Sequence, residues 1–268
     1  MIPNILSIAG SDPSGGAGIQ ADIKTISANG GYAMAVITAL TAQNTQGVTG
    51  VQMIAPDFVA AQIAAIRADI RVDAVKIGML GTAAIIGAVL EELSGLAVPI
   101  VLDPVMVAKS GDRLLQTEAV AALRGAVSRV TVITPNLPEA ADLLGLPEAT
   151  SRTEMQDQAQ ALLDLGAQAV LLKGGHLPGD ESPDLLTSAA GSVWLPGSRY
   201  ISRKTHGTGC TVSSALATYL GLGLPLPKAA ARAKAYVARA IAAADALSVG
   251  TGHGPTHHFH TLFPGMTP

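Results

Sequence analysis

A single cysteine in 268 residues excludes an internal disulfide, and with it the covalent stapling of small secreted scaffolds. The opening residues Met1-Ile2-Pro3-Asn4 carry neither the basic region nor the cleavage pattern of a secretory leader, so a cytosolic, cytoplasmic location is expected. No stretch approaches the roughly 20 apolar residues of a membrane span; the most hydrophobic one, Gly95 to Val107, is interrupted by Pro99, Asp103 and Pro104. Basic blocks are missing too. With 17 Lys and Arg scattered among 20 Asp and Glu, neither nucleic acid nor an anionic membrane surface is an expected partner. Aromatic residues make up only 3% of the chain, so its core has to come from small-faced, alanine-rich helices lying close to a sheet of Val, Ile and Leu. These exclusions leave small molecules as the expected partners.

Hydrophobic residues, at 49%, are ample for one large core. Short runs at Ile5 to Ala9, Ala33 to Ile37, Ala74 to Ile77, Ile100 to Leu102, Val130 to Thr134 and Ala169 to Leu172 read as buried strands, with helices between most of them. Pro56 to Ile70 illustrates the helical pattern, with Pro56 at its start and Val59, Ile63, Ile66 and Ile70 on one face. This alternation predicts an α/β fold, a mostly parallel sheet covered by helices on both sides, in one domain over residues 1–268. Asp184 to Lys204 reads as an antiparallel edge ribbon, and Lys228 to about Leu247 as a long final helix. Neither a 20–50-residue repeat nor a break in composition marks a second domain.

Ligands of such sheets bind beyond the carboxyl ends of the strands, and the loops there are unusual. The lone thiol falls in His206-Gly207-Thr208-Gly209-Cys210-Thr211, a glycine-punctuated turn opening a helical run. Glycines let the backbone approach an anion, and the first turn of a helix has unpaired N–H groups at a partly positive end. The turn reads as an anion hole whose field should favour the Cys210 thiolate. The first loop, Gly10 to Gly18, is glycine-rich but has the spacing of neither a Walker A nor a dinucleotide motif; it is either a plain turn or a loop admitting a flat ring. Asp103 and Glu139 stand at strand ends where they could bind Mg²⁺ directly or through water, although Glu139 also suits a first helical turn. Asn136 is either an N-cap or an orienting ligand. Lys173 ends a strand of Val and Leu, where a phosphate would satisfy its charge. The cluster His253, His257, His258 and His260 lacks the spacing of a structural zinc site and suggests a loop packed back on the domain.

Taken together, residues 10–22, Thr-Ala-Gln-Asn-Thr (41–45), Lys-Ile-Gly-Met-Leu (76–80), Thr-Pro-Asn-Leu-Pro-Glu-Ala (134–140), Leu-Lys-Gly-Gly-His (172–176) and His-Gly-Thr-Gly-Cys-Thr (206–211) resemble the hydroxymethylpyrimidine/phosphomethylpyrimidine kinases of thiamine biosynthesis. Six motifs in order, from about Asn4 to His260, make the resemblance specific. It implies a ribokinase-like three-layer α/β/α sandwich that uses Mg²⁺ and ATP to phosphorylate the pyrimidine alcohol and then its monophosphate. By the same resemblance, Gly10, Ala17, Gln43, Met79 and Val105 would line the pyrimidine pocket, and Gln43 would bond the aminopyrimidine edge. Asp103, Asn136 and Glu139 would organise Mg²⁺ and its waters, and Lys173 would meet the phosphates. Gly207, Thr208 and Gly209 would form the anion hole, with Cys210 as candidate base. Adenine would lie between the Trp194–Lys204 region and the C-terminal helices, and a homodimer is implied. A pyridoxal kinase of the same fold is the nearest rival reading, disfavoured by Gln43 and Met79; a non-catalytic pyrimidine-binding protein would not need the metal and phosphate groups.

Overall fold

A computed structural model describes residues 1–106, 115 and 118–262. Its strands are β1 (Asn4–Ala9), β2 (Tyr32–Ile37), β3 (Ala39–Asn44), β4 (Gly47–Met53), β5 (Ala74–Ile77), β6 (Ile100–Leu102), β7 (Val132–Ile133), β8 (Ala169–Lys173), β9 (Asp184–Ser188) and β10 (Gly191–Leu195). The helices are α1 (Gly18–Ala28), α2 (Pro56–Asp69), α3 (Ala83–Glu92), α4 (Ala119–Ala126), α5 (Leu137–Leu144), α6 (Arg152–Asp164), α7 (Thr208–Gly221) and α8 (Leu226–Ala242). Eight strands form the central sheet in the order β10-β9-β8-β7-β6-β5-β1-β2, parallel from β8 through β2 and antiparallel at the β8-β9-β10 edge.

Successive strand residues point to opposite faces, and both faces are apolar. Leu6, Val75, Leu102 and Ile133 face a core closed by α2 through α6, while Ile5, Ala74, Val101 and Val132 face one closed by α1, α7 and α8. The second layer meets the sheet through Ala215, Ala217, Ala229, Ala230 and Ala233, the small-faced packing that the scarcity of aromatics requires. Among the described residues no helix is long and apolar enough to cross a membrane.

The edge ribbon expected at 184–204 is β9–β10 and ends earlier, at Leu195. The run Val130 to Thr134 narrows to β7, and the final helix begins at Leu226 and ends at Ala242, before a short turn at Ala244–Ala246. The two-stranded sheet β3–β4 was not anticipated: its residues are mostly exposed and carry little apolar contrast to mark them. It stands at the carboxyl end of the main sheet, joined to the first loop by Ser11 N donating to Ala39 O. From β1 the chain turns to β2 on one side and later to β5 on the other, so the strand order reverses beside β1, where a crevice is expected.

Candidate active site

A cavity of about 400 Å³ opens at this reversal, within the size range of small-molecule sites. Every residue that the resemblance assigns to the site lines it, whereas the C-terminal histidines do not. Gly10, Ala17, Gln43, Met79 and Val105 lie with Asp103, Asn136, Glu139, Lys173 and the Gly207–Cys210 turn around the same space. The cavity reaches Thr205 but takes in none of Trp194–Lys204, the segment expected near adenine.

Asp12, which the sequence reading passed over, shapes the first loop. Its carboxylate accepts from Ser14 N (2.9 Å), Ser14 Oγ (2.7 Å), Gly16 N (3.1 Å) and Ala17 N (2.8 Å). His206 Nε2 approaches it at 2.9 Å from the opposite wall. Burial works to raise the Asp12 carboxyl, but the hydrogen bonds from His206, Ser14 and Ala17 hold it below the usual value. The run Asp12-Pro13-Ser14 is a local signal for such a turn; the pairing with a histidine 194 positions away has none. Opposite the step from Ala42 to Gln43 the partner strand β4 carries one extra residue, Thr49, and Gln43 lines the cavity. Thr41 Oγ1 donates its one proton to Ser11 O (2.9 Å), while Gln43 Oε1 lies 3.3 Å from that hydroxyl and the amide nitrogen 3.4 Å from His206 Nε2. Because His206 gives its Nε2 proton to the ionised Asp12, those two nitrogens are both donors, and the Gln43 N–H stays available to an acceptor in the cavity.

The turn before α7 is built by close approach. Gly207 has φ 77°, and a Cβ there would fall 1.9 Å from Gly16 O. A Cβ on Gly209 would lie 3.3 Å from Lys173 Nζ and 3.4 Å from Asp103 Oδ2, so the start of α7 faces a cation and a carboxylate across a gap less than two methyl groups wide. The expected Cys210 thiolate is reversed: burial pushes the thiol up to about 11, against the nearby Lys76 ammonium and the Gly18 amide, which lower it. Cys210 is a neutral thiol at physiological pH.

Lys173 Nζ bonds Asp103 Oδ1 (3.0 Å) and lies 3.9 Å from Glu139 Oε2, so its charge is met by carboxylates. Burial would lower its ammonium, yet Asp103 and Glu139 raise it, and it stays charged. Burial pushes Glu139 up to about 7, with Lys173 opposing and Asp103 reinforcing the rise. Asp103 and Glu139 bring hard oxygen donors together beside Lys173, a set that suits Mg²⁺. Asn136 is an N-cap: Oδ1 accepts from Glu139 N and Glu139 Oε2 accepts from Asn136 N, both at 2.8 Å, in a capping box that opens α5 and orients Glu139. Among the described residues no group of three or more His, Cys, Asp or Glu is placed to hold a metal, the C-terminal histidines included.

The floor of the cavity holds a second feature that sequence reasoning missed. Lys76, wholly inaccessible to solvent, bonds both oxygens of Asp22 at 2.9 and 2.8 Å, and Asp22 also accepts from Ser7 Oγ (2.6 Å) and Ser214 Oγ (2.7 Å). Burial would lower the lysine, but Asp22, Cys210 and Asp103 raise it above its ordinary value. A lysine inside the apolar strand Ala-Val-Lys-Ile was the available signal, since a buried ammonium demands a partner.

Comparison with known proteins places this geometry in context. The family model described as phosphomethylpyrimidine kinase matches residues 12–257. The hydroxymethylpyrimidine/phosphomethylpyrimidine kinase of Escherichia coli K12 is 51% identical over 259 residues, covering 96% of this chain and 97% of that one. Among solved structures, Bacillus subtilis pyridoxal kinase in complex with ADP matches with TM-score 0.88 at 36% identity, covering 96% of this chain and 98% of that one. Phosphomethylpyrimidine kinase from Clostridium difficile 630 matches with TM-score 0.78 at 41% identity, covering 89% and 99%.

Proposed function

The chain belongs to the phosphomethylpyrimidine kinase family, and on that premise we propose how its cavity divides the work of phosphoryl transfer. The activity is that of an ATP-dependent kinase of thiamine biosynthesis, phosphorylating hydroxymethylpyrimidine and then its monophosphate. The observation that carries the assignment of roles is the opposition of the Gly207–Cys210 turn to Lys173 and Asp103 within one cavity.

The pyrimidine lies among Gly10, Ala17, Met79 and Val105, and the free Gln43 N–H donates to a ring nitrogen at its aminopyrimidine edge. That pose directs the hydroxymethyl group to the start of α7. There the amides of the Gly207–Cys210 turn donate to the equatorial oxygens of the transferred group, that of Thr208 giving up its 3.4 Å bond to Thr205 O, and Lys173 leaves its carboxylates to meet the phosphates. Asp103 and Glu139 would hold Mg²⁺, with Asn136 fixing the rotamer of Glu139. When bound, that ion supplies charge neutralisation to the phosphates. A loose transition state needs positioning and charge compensation more than a strong base. Cys210, neutral and polarizable, therefore acts chiefly by adding no fixed negative charge beside a substrate that in the second step already carries a phosphate. Adenine would extend from Thr205 towards the 194–204 segment, and a homodimer is the expected assembly.

The test is to incubate the protein with Mg·ATP and hydroxymethylpyrimidine and follow products by mass spectrometry, with pyridoxal in parallel. Sequential mono- and diphosphate is the expected outcome. Because pyridoxal kinases share the architecture closely, the ratio of kcat/KM for the two rings is the decisive number. A ratio favouring pyridoxal overturns the placement of Gln43 and Met79, and absence of turnover on either ring overturns the division of labour.

A further inference from the structure

The C-terminal histidine segment, unassigned by any of the roles above, is tied by hydrogen bonds to two walls of the cavity and packs against a third. His253 N donates to Thr45 O (2.7 Å) and Gly252 N to Thr45 Oγ1 (3.2 Å), at the tip of the β3–β4 hairpin. His206 N donates to Gly254 O (3.0 Å), beside the His206–Pro255 bridge, and Pro255 packs where a Cβ on Gly16 would meet it. The segment is anchored in turn to α8, through His257 N to Ala240 O (2.9 Å) and Tyr236 Oη to His258 O (2.6 Å).

One side chain of this segment reaches the anion hole itself. His258, 4% exposed, has Nε2 at 3.2 Å from Oγ1 of Thr211, which is wholly buried in the first turn of α7. Thr211 Oγ1 lies 2.8 Å from Gly207 O. A hydroxyl oxygen and a carbonyl oxygen at that separation need the single hydroxyl proton between them. That proton being spent, the His258–Thr211 contact holds only if Nε2 carries its own proton and donates it. The tautomer is thus fixed by elimination, in a chain running from His258 Nε2–H to Thr211 Oγ1–H to Gly207 C=O. Thr211 N also donates to Gly207 O (2.9 Å), so the peptide plane after Gly207 is pinned by two bonds. The amides that follow it are those assigned to the phosphoryl oxygens. Burial, with Lys24 and the neighbouring His257 and His260, pushes the imidazolium down to about 3, which keeps the ring neutral.

We propose that His258 is a positioning residue for phosphoryl transfer, orienting the Gly207 peptide through Thr211 so that the amides at the start of α7 are aligned before substrate binds. The inference rests on the assignment of those amides to the transferred group.

The experiment is a double-mutant cycle on kcat with Mg·ATP and hydroxymethylpyrimidine, with Gly209→Ala measured alongside. His258→Leu keeps the volume but has no donor, and lowers kcat about tenfold, the worth of one positioning hydrogen bond. The KM for the pyrimidine stays within twofold. Thr211→Val gives the same loss, and the double variant loses no more than either single one. His258→Gln, whose amide N–H reaches Thr211, restores kcat to within threefold of the parent. If His258→Leu does not fold, His258→Asn, one methylene short of Thr211, takes its place in the cycle. Additive losses, or a failure of Gln to rescue at matched thermal stability, overturn the relay. A large loss in Gly209→Ala with none in His258→Leu overturns the relay alone, whereas unchanged kcat in Gly209→Ala overturns the anion hole on which it rests.

Discussion

Gly209→Ala separates catalysis from stability more sharply than any other single change. The added methyl would sit 3.3 Å from Lys173 Nζ and 3.4 Å from Asp103 Oδ2, in the gap where a phosphoryl oxygen has to stand. Those contacts are tight but touch the end of a flexible lysine, so the fold can absorb them with a shift of a few tenths of an ångström. Gly209 lies within α7, and replacing glycine by alanine inside a helix is worth up to about 1 kcal/mol of stability. The transition state fares oppositely. An oxygen accepting from the Gly209 and Cys210 amides while touching Lys173 meets the methyl at less than van der Waals separation and has to forgo at least one donor. Loss of one such donor lowers kcat by about 10²–10³-fold, or ~2.7–4 kcal/mol. Steady-state kinetics on both half-reactions, with thermal melting of the same preparations, measure the two effects. The expected result is a Tm equal to or above the parent with kcat reduced at least a hundredfold. A variant that melts at or above the parent temperature and keeps kcat within threefold would refute the placement of the phosphoryl group.

Three further outcomes are expected of other variants. Gly207→Ala forces a Cβ to 1.9 Å from Gly16 O at φ 77°, and should lose ~3 kcal/mol or more of stability in urea unfolding, in contrast to Gly209→Ala. Lys76→Met leaves Asp22 charged in the interior and should cost about 3–5 kcal/mol, most of it regained in Lys76→Met/Asp22→Leu; equal stability of the single and double variants would contradict the ion-pair account. His258 should shape the acid limb of stability. Its folded value is depressed to about 3, so below about 6.5 the unfolded chain takes up a proton the folded chain refuses, and stability falls as pH drops from about 6.5 towards 3. By pH 5 the loss from this group is about 2 kcal/mol. His258→Gln should flatten that limb between pH 7 and 5 by a like amount, and an unchanged urea midpoint difference would count against a buried neutral imidazole.

What could be read from the sequence was whatever announces itself locally. The parallel strands are short, largely apolar runs, and the loops at their ends carry motifs whose order specifies the family. The β3–β4 hairpin escaped because Thr41, Gln43, Thr49 and Gly50 carry no apolar face to bury, so period-two contrast is absent where the strands are exposed. Long-range pairs escaped for a different reason. Asp12 with His206, Asp22 with Lys76 and Thr211 with His258 are each partnered through the fold rather than through spacing, and only the lysine within an apolar strand hinted that a partner existed. The thiolate expectation failed because helix-end field and desolvation act on Cys210 in opposite directions, and depth of burial is not written in a hexapeptide.

The Lys76–Asp22 pair also constrains how this cavity can change over generations. Each partner makes the other tolerable, and the stability at stake when one is lost is a large share of the about 5–15 kcal/mol that holds a typical domain together. A lineage that alters either residue first passes through a chain that folds poorly, while one that alters both at once passes safely. The two positions, 54 residues apart, are therefore expected to be inherited as a unit. An effort to reshape the floor of the pocket by single substitutions would stall there, whereas a library varying both together would not.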